Sequence, residues 1–329
     1  MIHSNISIFV PHLGCPNMCS FCDQCSITGQ QNVPSASVVK SAVETAMKSP
    51  KYDRENTEIA FFGGSFTAIE RELMLELLEA AYTFVKDSSV KGIRVSTRPD
   101  AINEEILNAL KSYKVTAIEL GAQSLCDDVL SLNKRGHTAQ QVETACNLIK
   151  GAGFELGLQM MTGLHGSDIS KDRYTAERIV QLKPETVRIY PTITLENTLL
   201  AKLFKSGEYT PPSLEETVEL CAELKTLFEE HGIKVIRTGL HTVDEKSIVA
   251  GPWHASFGEL VESRIIYKKT LPRLNEKGQY ILTVNPKSVS KAVGQKRENI
   301  KRLENQGYKL RVLTSPDVAV GEVEIRKDE

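Results

Sequence analysis

Six short apolar runs, most with β-branched residues, alternate with longer segments of helical period, and that alternation restricts the chain to few folds. The runs are Ile6–Val10, Glu58–Phe62, Gly92–Ser96, Thr116–Leu120, Phe154–Met161 and Thr186–Tyr190. In the segments between them, such as SASVVKSAVETAMKS and AIERELMLELLEAAYTFVKD, apolar residues return every three or four positions, as one buried helix face requires. Thr138 with Gln141, and Ser213 with Glu216, have capping-box spacing, and Gly153, Gly207 and Gly232 stand where helices would end. Repeats of strand and helix set parallel strands side by side through right-handed crossovers. The expected class is α/β, a partial parallel (β/α)6 barrel. Ligands of such folds bind at the carboxyl ends of the strands. Cys15, Gly63-Gly64, Thr97 and Gln123 follow the first four strands.

After Gly251 the pattern changes. PWHASFGELVESRIIYKK reads as irregular, ILTVNP as strand, KSVSKAVGQKRENIKRLENQG as one or two helices and YKLRVL as strand. SPDVAVGEVEIRKDE reads as a last short strand and a frayed end. The chain therefore divides into a core of residues 1–245 and a small α+β extension of residues 246–329. From Arg264 to Arg311, 13 Lys and Arg stand against 3 Glu and no Asp, while the whole chain carries −2. Such asymmetry points to an anionic partner for the basic part, or to a solvated basic face.

No apolar run approaches the ~20 residues that span a bilayer. The N-terminus also lacks a basic stretch followed by a long apolar core. A cytoplasmic protein without membrane contact is expected. Of seven cysteines, four crowd into residues 15–25, an odd total and a tight spacing that favour metal binding over disulfides. Cys126, Cys146 and Cys221 are scattered and read as core or surface thiols.

The crowded run, Cys15-Pro-Asn-Met-Cys19-Ser-Phe-Cys22, has the spacing C-x3-C-x2-C. A four-iron cluster usually takes four thiolates. Three leave one iron open, which suits a cluster that binds a cofactor directly. A structural zinc with Cys25 or His12 as fourth ligand is the alternative. Further along lie FFGGSFTA, VSTRPD, IELGAQS, NKRGHT, LQMMTGL and VRIYPTI, in that order. With CPNMCSFC they resemble the radical S-adenosylmethionine superfamily over residues 5 to 245. The nearest likeness is to the radical domain of the elongator complex catalytic subunit, with a second to oxygen-independent coproporphyrinogen oxidases.

The resemblance implies a [4Fe-4S] cluster on Cys15, Cys19 and Cys22, with S-adenosyl-L-methionine on its open iron. Gly63, Gly64 and Ser65 would offer backbone carbonyls to the methionine ammonium, although the family often has an acidic residue where Ser65 stands. Ser96 and Thr97 would contact the cofactor where relatives usually place Glu at the first position. Gln123 would bind the ribose, and Gln159 could also reach it where relatives often have Asp. Arg135 would take the methionine carboxylate, which its forked donors match. Phe21 would wall the adenine. Arg98 and Asp100 would pair, and Arg188, Tyr190 and Glu196 could face the substrate. His137 and His165 are assigned no chemistry.

Within the extension, Val293-Gly294-Gln295-Lys296-Arg297-Glu298-Asn299-Ile300 resembles the Gly-x-x-Gly loop of a KH domain, with Arg297 where the second glycine belongs. This KH-like segment spans about residues 264–312. The resulting expectation is an enzyme that cleaves S-adenosylmethionine to a 5′-deoxyadenosyl radical and modifies RNA or tRNA. Its partners would be that RNA and an electron donor such as flavodoxin or ferredoxin. Two alternatives stand beside it: a radical enzyme acting on a small molecule or tetrapyrrole, and a non-catalytic RNA-binding protein with a structural metal. The extension shows no acyl-coenzyme A loop, so the acetyl transfer of the elongator relatives is not expected.

Overall fold

The computed structural model describes residues 4–10, 15, 19–23, 33–240 and 243–328. Its main sheet has seven parallel strands: β1 (Ser4–Val10), β2 (Thr57–Gly63), β3 (Gly92–Thr97), β4 (Val115–Gln123), β5 (Glu155–Thr162), β6 (Thr186–Pro191) and β8 (Lys234–Thr238). Strand order follows the chain without reversal, which is the winding of a barrel rather than of a doubly wound sheet. With β1 and β8 as its two edges, the barrel is open, and a separate antiparallel pair joins β7 (Thr194–Leu195) to β9 (Ile248–Ala250). Six of the strands match the sequence reading. The seventh, β8, extends it, and its residues are only half-buried or exposed, so its apolar signal is weak.

Side chains alternate across each strand. Ile6, Ile8, Ile59, Phe61, Ile93, Val95, Ile118, Leu120, Leu156 and Leu158 face the helical layer and form the main core. Each large apolar side chain fully buried there contributes roughly 1.5–3 kcal/mol. The opposite face, lining the barrel, carries Glu58, Arg94, Ser96, Glu119, Gln159 and Arg188, all polar. Both expected capping boxes form, at Thr138–Gln141 and Ser213–Glu216. Gly207 caps its helix in the left-handed conformation. Among the described residues, no helix is long and apolar enough to cross a membrane.

The stretch read as irregular is largely a helix, Phe257–Thr270. Its sequence shows no amphipathic period because two cores claim it. Phe257, Val261 and Ile265 enter the main core, whereas Ile266 packs with Leu282, Val284, Ala292 and Val323 of the extension. A helix apolar on more than one side is one buried between layers. Beyond it, β10 (Gly278–Val284) is the central strand of a three-stranded sheet. It runs parallel to β11 (Tyr308–Thr314) and antiparallel to β12 (Val323–Lys327). Helices Val289–Val293 and Glu298–Asn305 and the turn between them join β10 to β11.

The charge asymmetry has a structural use. Arg264, Lys268 and Arg302 pair with Glu215, Glu219 and Glu223 of helix Leu214–Glu230, joining the extension to the core. Part of the basic segment is thus neutralised inside the molecule. Lys287, Lys296, Arg297 and Lys301 remain exposed around the turn, with no ion pair among the described residues.

In that turn Gly294 has φ +78°, and a Cβ there would lie 2.9 Å from the Asn299 nitrogen. Arg297 sits at φ +62°, the left-handed conformation a glycine would adopt freely. A residue with a Cβ holds that conformation at a steric cost of roughly 1–2 kcal/mol. Glycine is more flexible in the unfolded chain, which offsets part of any gain. Arg297→Gly should therefore stabilise the protein by about 0.5–1 kcal/mol. A denaturation midpoint that falls instead would show that the Arg297 side chain is required for folding.

Candidate functional site

The carboxyl ends of β1 to β4 bring the expected residues into one mouth. At β2, Gly63 has φ +105°, and a Cβ on it would meet the Val10 carbonyl oxygen at 3.0 Å. Gly64 then donates its N–H to that same oxygen at 2.6 Å. The glycine pair is thus fixed by close approach to the end of β1, just before the cysteine loop. The Ser65 hydroxyl lies 2.9 Å from that of Thr97, which also meets Thr67 at 2.6 Å. These buried hydroxyls tie the β2 and β3 ends together, and Ser65 also accepts the Arg98 N–H at 3.2 Å. Arg98 and Asp100 pair with each other as expected, at 2.6 and 2.9 Å.

Cys15, Cys19 and Cys22 share this mouth. The Ser65 backbone N–H reaches Cys15. Burial raises the Cys15 pKa despite the nearby guanidiniums of Arg98 and Arg135. Arg135 donates to the Cys19 sulfur at 3.1 Å and to the Gly121 carbonyl at 2.6 Å. Burial, and then the neighbouring Cys19 and Cys15 sulfurs, push the Cys22 thiol up to about 12. Among the described residues, no three His, Cys, Asp or Glu are gathered as ligands of a single ion. Cys25 and His12, the further ligands of a zinc site, lie outside the described residues.

Three groups in the mouth lack partners among the described residues. The Ser96 hydroxyl, the Gln123 carbonyl oxygen and the Arg135 Nε are buried there without a hydrogen bond. An unmet buried polar atom costs roughly 1–3 kcal/mol, so three within one strand-end region imply a polar occupant. Gln123 also carries strain: it ends β4 at φ +66°, where the register with β5 slips. Gly121 leaves it room, since a Cβ there would meet Gln123 Nε2 at 3.0 Å and Arg135 Nη2 at 3.4 Å. The donor set suits a cofactor with hydroxyl, amine and carboxylate groups beside a thiolate-bound cluster.

Other expected residues are placed differently. Gln159 donates to Glu119 at 3.0 Å, within the barrel. Arg188 is buried and forms a two-pronged pair with Glu119 at 2.7 and 3.0 Å, with its guanidinium 5.2 Å from the Phe62 ring centre. Glu196 is half exposed and pairs with Lys205 at 3.2 Å. Phe21 packs with Val129, Met161 and Leu164, and Arg135 lies 6.0 Å from its ring. Burial and the neighbouring Arg135 push the His137 imidazole down to about 4, so it is neutral at pH 7. The His165 ring stands edge-on to Tyr209.

Sequence reasoning missed the interior network that carries Arg188. Arg94 bridges Glu58 at 3.0 Å, Glu119 at 3.4 Å and Glu155 at 2.7 Å. Burial opposes ionisation of Glu119, but Arg188 and Arg94 outweigh it and hold the carboxyl below its usual range. The signal was present: a single charge set among apolar residues in each of the strands TEIAFF, GIRVST and AIELGAQ.

A family model described as the Radical SAM superfamily matches residues 9–179, more than half of the chain. The chain belongs to that superfamily of enzymes. A second model, the Radical_SAM C-terminal domain, matches residues 184–267. Neither covers the turn at Gly294, so neither supports the KH likeness of that segment. Among curated relatives, the tRNA uridine(34) acetyltransferase of Methanocaldococcus jannaschii is 33% identical over 172 residues, covering 51% of this chain and 31% of that protein. Human Elongator complex protein 3 is 29% identical over 201 residues, covering 55% of this chain and 37% of that one. The chain thus spans well under two thirds of either relative. The archaeal Elp3 structure from Methanocaldococcus infernus shares the fold, with a TM-score of 0.67 at 23% identity over 82% of this chain and 64% of that one.

Proposed function

We propose that this radical SAM enzyme binds a [4Fe-4S] cluster through Cys15, Cys19 and Cys22 and S-adenosyl-L-methionine in the adjoining mouth. The three unpartnered groups beside the Arg135–Cys19 contact carry the proposal. When bound, the cluster supplies one electron and an open iron, so that reductive cleavage of S-adenosylmethionine yields a 5′-deoxyadenosyl radical. Ser96, Gln123 and Arg135 hold the cofactor through their free oxygen and nitrogen atoms. Gly63 and Gly64 present backbone. Ser65 and Thr97 brace that turn with their hydroxyls, while Gln159 donates to Glu119 within the barrel. Arg135, between Cys19 and the mouth, is suited to orient a carboxylate.

The substrate in this reading is RNA, with tRNA favoured by the names of the relatives. Lys287, Lys296, Arg297 and Lys301, exposed at the turn of the 246–329 extension, supply a surface for phosphates. The protein acts in the cytoplasm, with flavodoxin or ferredoxin as electron donor. The acetyl transfer named in the relatives is not proposed. Anaerobic reconstitution followed by a strong reductant should yield about four irons per chain and 5′-deoxyadenosine. Zinc in place of iron, or no 5′-deoxyadenosine, would remove the reading. RNA crosslinked in cells should be lost when Lys296, Arg297 and Lys301 are replaced together by Glu.

A further inference from the structure

The cysteine loop is gripped at a residue that binds no iron. Ser20, between Cys19 and Cys22, is fully buried. Its N–H donates to the Asn133 carbonyl at 3.1 Å, and its hydroxyl donates to Asn133 Oδ1 at 2.6 Å. Its own carbonyl accepts the Leu200 N–H at 2.7 Å. Asn133 is also fully buried, and its amide nitrogen donates to the Val129 and His165 carbonyls, each at 2.8 Å. One side chain therefore joins the cysteine loop, the short helix Asp127–Leu132 and the segment after β5. Two residues later, Arg135 holds the Cys19 sulfur. Lys134, between them, takes φ +52°, a backbone conformation uncommon outside glycine, asparagine and aspartate.

We propose that Asn133, acting through Ser20, is a positioning residue that presets Cys19 and Cys22 for the cluster before any iron arrives. The inference rests on those cysteines being cluster ligands. A flexible loop must lose conformational entropy when it wraps a cluster. Three hydrogen bonds at Ser20 already remove part of that freedom between Cys19 and Cys22, so affinity should fall when the hold is cut. Groups that orient metal ligands from behind typically carry 10–100-fold of the affinity. Asn133 can do this because its acceptor faces the loop while its donors are anchored in the core.

The test is a double-mutant cycle of Ser20→Ala and Asn133→Ala, read as the rate of iron loss to a chelator from reconstituted protein under anaerobic conditions. Each single variant should lose iron about ten-fold faster than wild type, and the double variant no faster than the worse single one. The melting temperature of each apo protein is measured alongside. Ser20→Ala removes one hydroxyl and should leave the apo fold intact. Asn133→Ala also loses two core bonds, a cost that the cycle cancels. Iron loss at the wild-type rate in Ser20→Ala, or additive effects in the double variant, would overturn the positioning role. Wild type that takes up no iron would overturn the cluster assignment and this inference together.

Discussion

Replacing Cys19 by alanine is expected to lower iron bound after reconstitution more than ten-fold and to bring 5′-deoxyadenosine to background. Three thiolates are the minimum that anchors a four-iron cluster with one iron open, so losing one leaves two ligands and two open irons. Cys19 is the most telling of the three. Its sulfur takes the Arg135 hydrogen bond at 3.1 Å, and charge-assisted bonds of that kind steady a thiolate. Among the described residues, the other thiols do not compensate. Cys126 is turned toward the Lys171 carbonyl, with sulfur and oxygen 3.8 Å apart, and Cys146 and Cys221 are buried in the core. Cys126→Ala should therefore retain wild-type iron and serves as the control. Iron retained in Cys19→Ala, with cofactor cleavage intact, would mean that the cluster sits elsewhere.

Periodicity and termination signals made the fold legible, and spacing made the cysteines legible. Short apolar runs placed six strands, and Thr138, Ser213 and Gly207 marked helix ends because capping depends on residues adjacent in sequence. The helix Phe257–Thr270 was hidden because tertiary contacts on two sides erased its period. At the site, Cys15, Cys19, Cys22, Gly63, Gly64, Ser96 and Gln123 meet at one mouth because each lies at or after a strand's carboxyl end, and Arg135 reaches them from beyond the helix Asp127–Leu132. Their mutual bonds could not be read. That Ser65 and Thr97 satisfy each other, that Gln159 turns to Glu119 and that Ser20 meets Asn133 depend on side-chain register between distant segments. The basic extension shows the same limit. Its charge was countable, but that Glu215 and Glu219 absorb part of it is a property of packing.

Arg188→Met should destabilise the protein by roughly 3–5 kcal/mol, the usual result of removing one partner from a buried ion pair. Glu119 is 1% exposed, so it cannot turn to water for the two bonds it loses. It would keep Gln159 at 3.0 Å and Arg94 at 3.4 Å, which favours the lower end of that range. The pH dependence follows from the direction of its pKa. In the wild type the ionised carboxyl is favoured by folding, so its stabilisation is present above the unfolded pKa near 4.5 and lost as pH falls through the depressed folded value. Without Arg188, burial dominates and the carboxyl binds a proton more readily in the folded state. The destabilisation measured by urea unfolding should then be smaller at pH 5 than at pH 8. Gly157→Ala would press on the same Glu119 side chain from β5, because a Cβ there would lie 2.8 Å from Glu119 Cγ and 2.9 Å from Thr186 Oγ1. Glu119→Leu combined with Arg188→Met replaces both charges with apolar volume, and such exchanges are often neutral. The double variant should therefore recover a large part of what Arg188→Met alone loses. Equal destabilisation at both pH values, with no recovery in the double variant, would show that Arg188 acts through packing on Phe62 and not through Glu119.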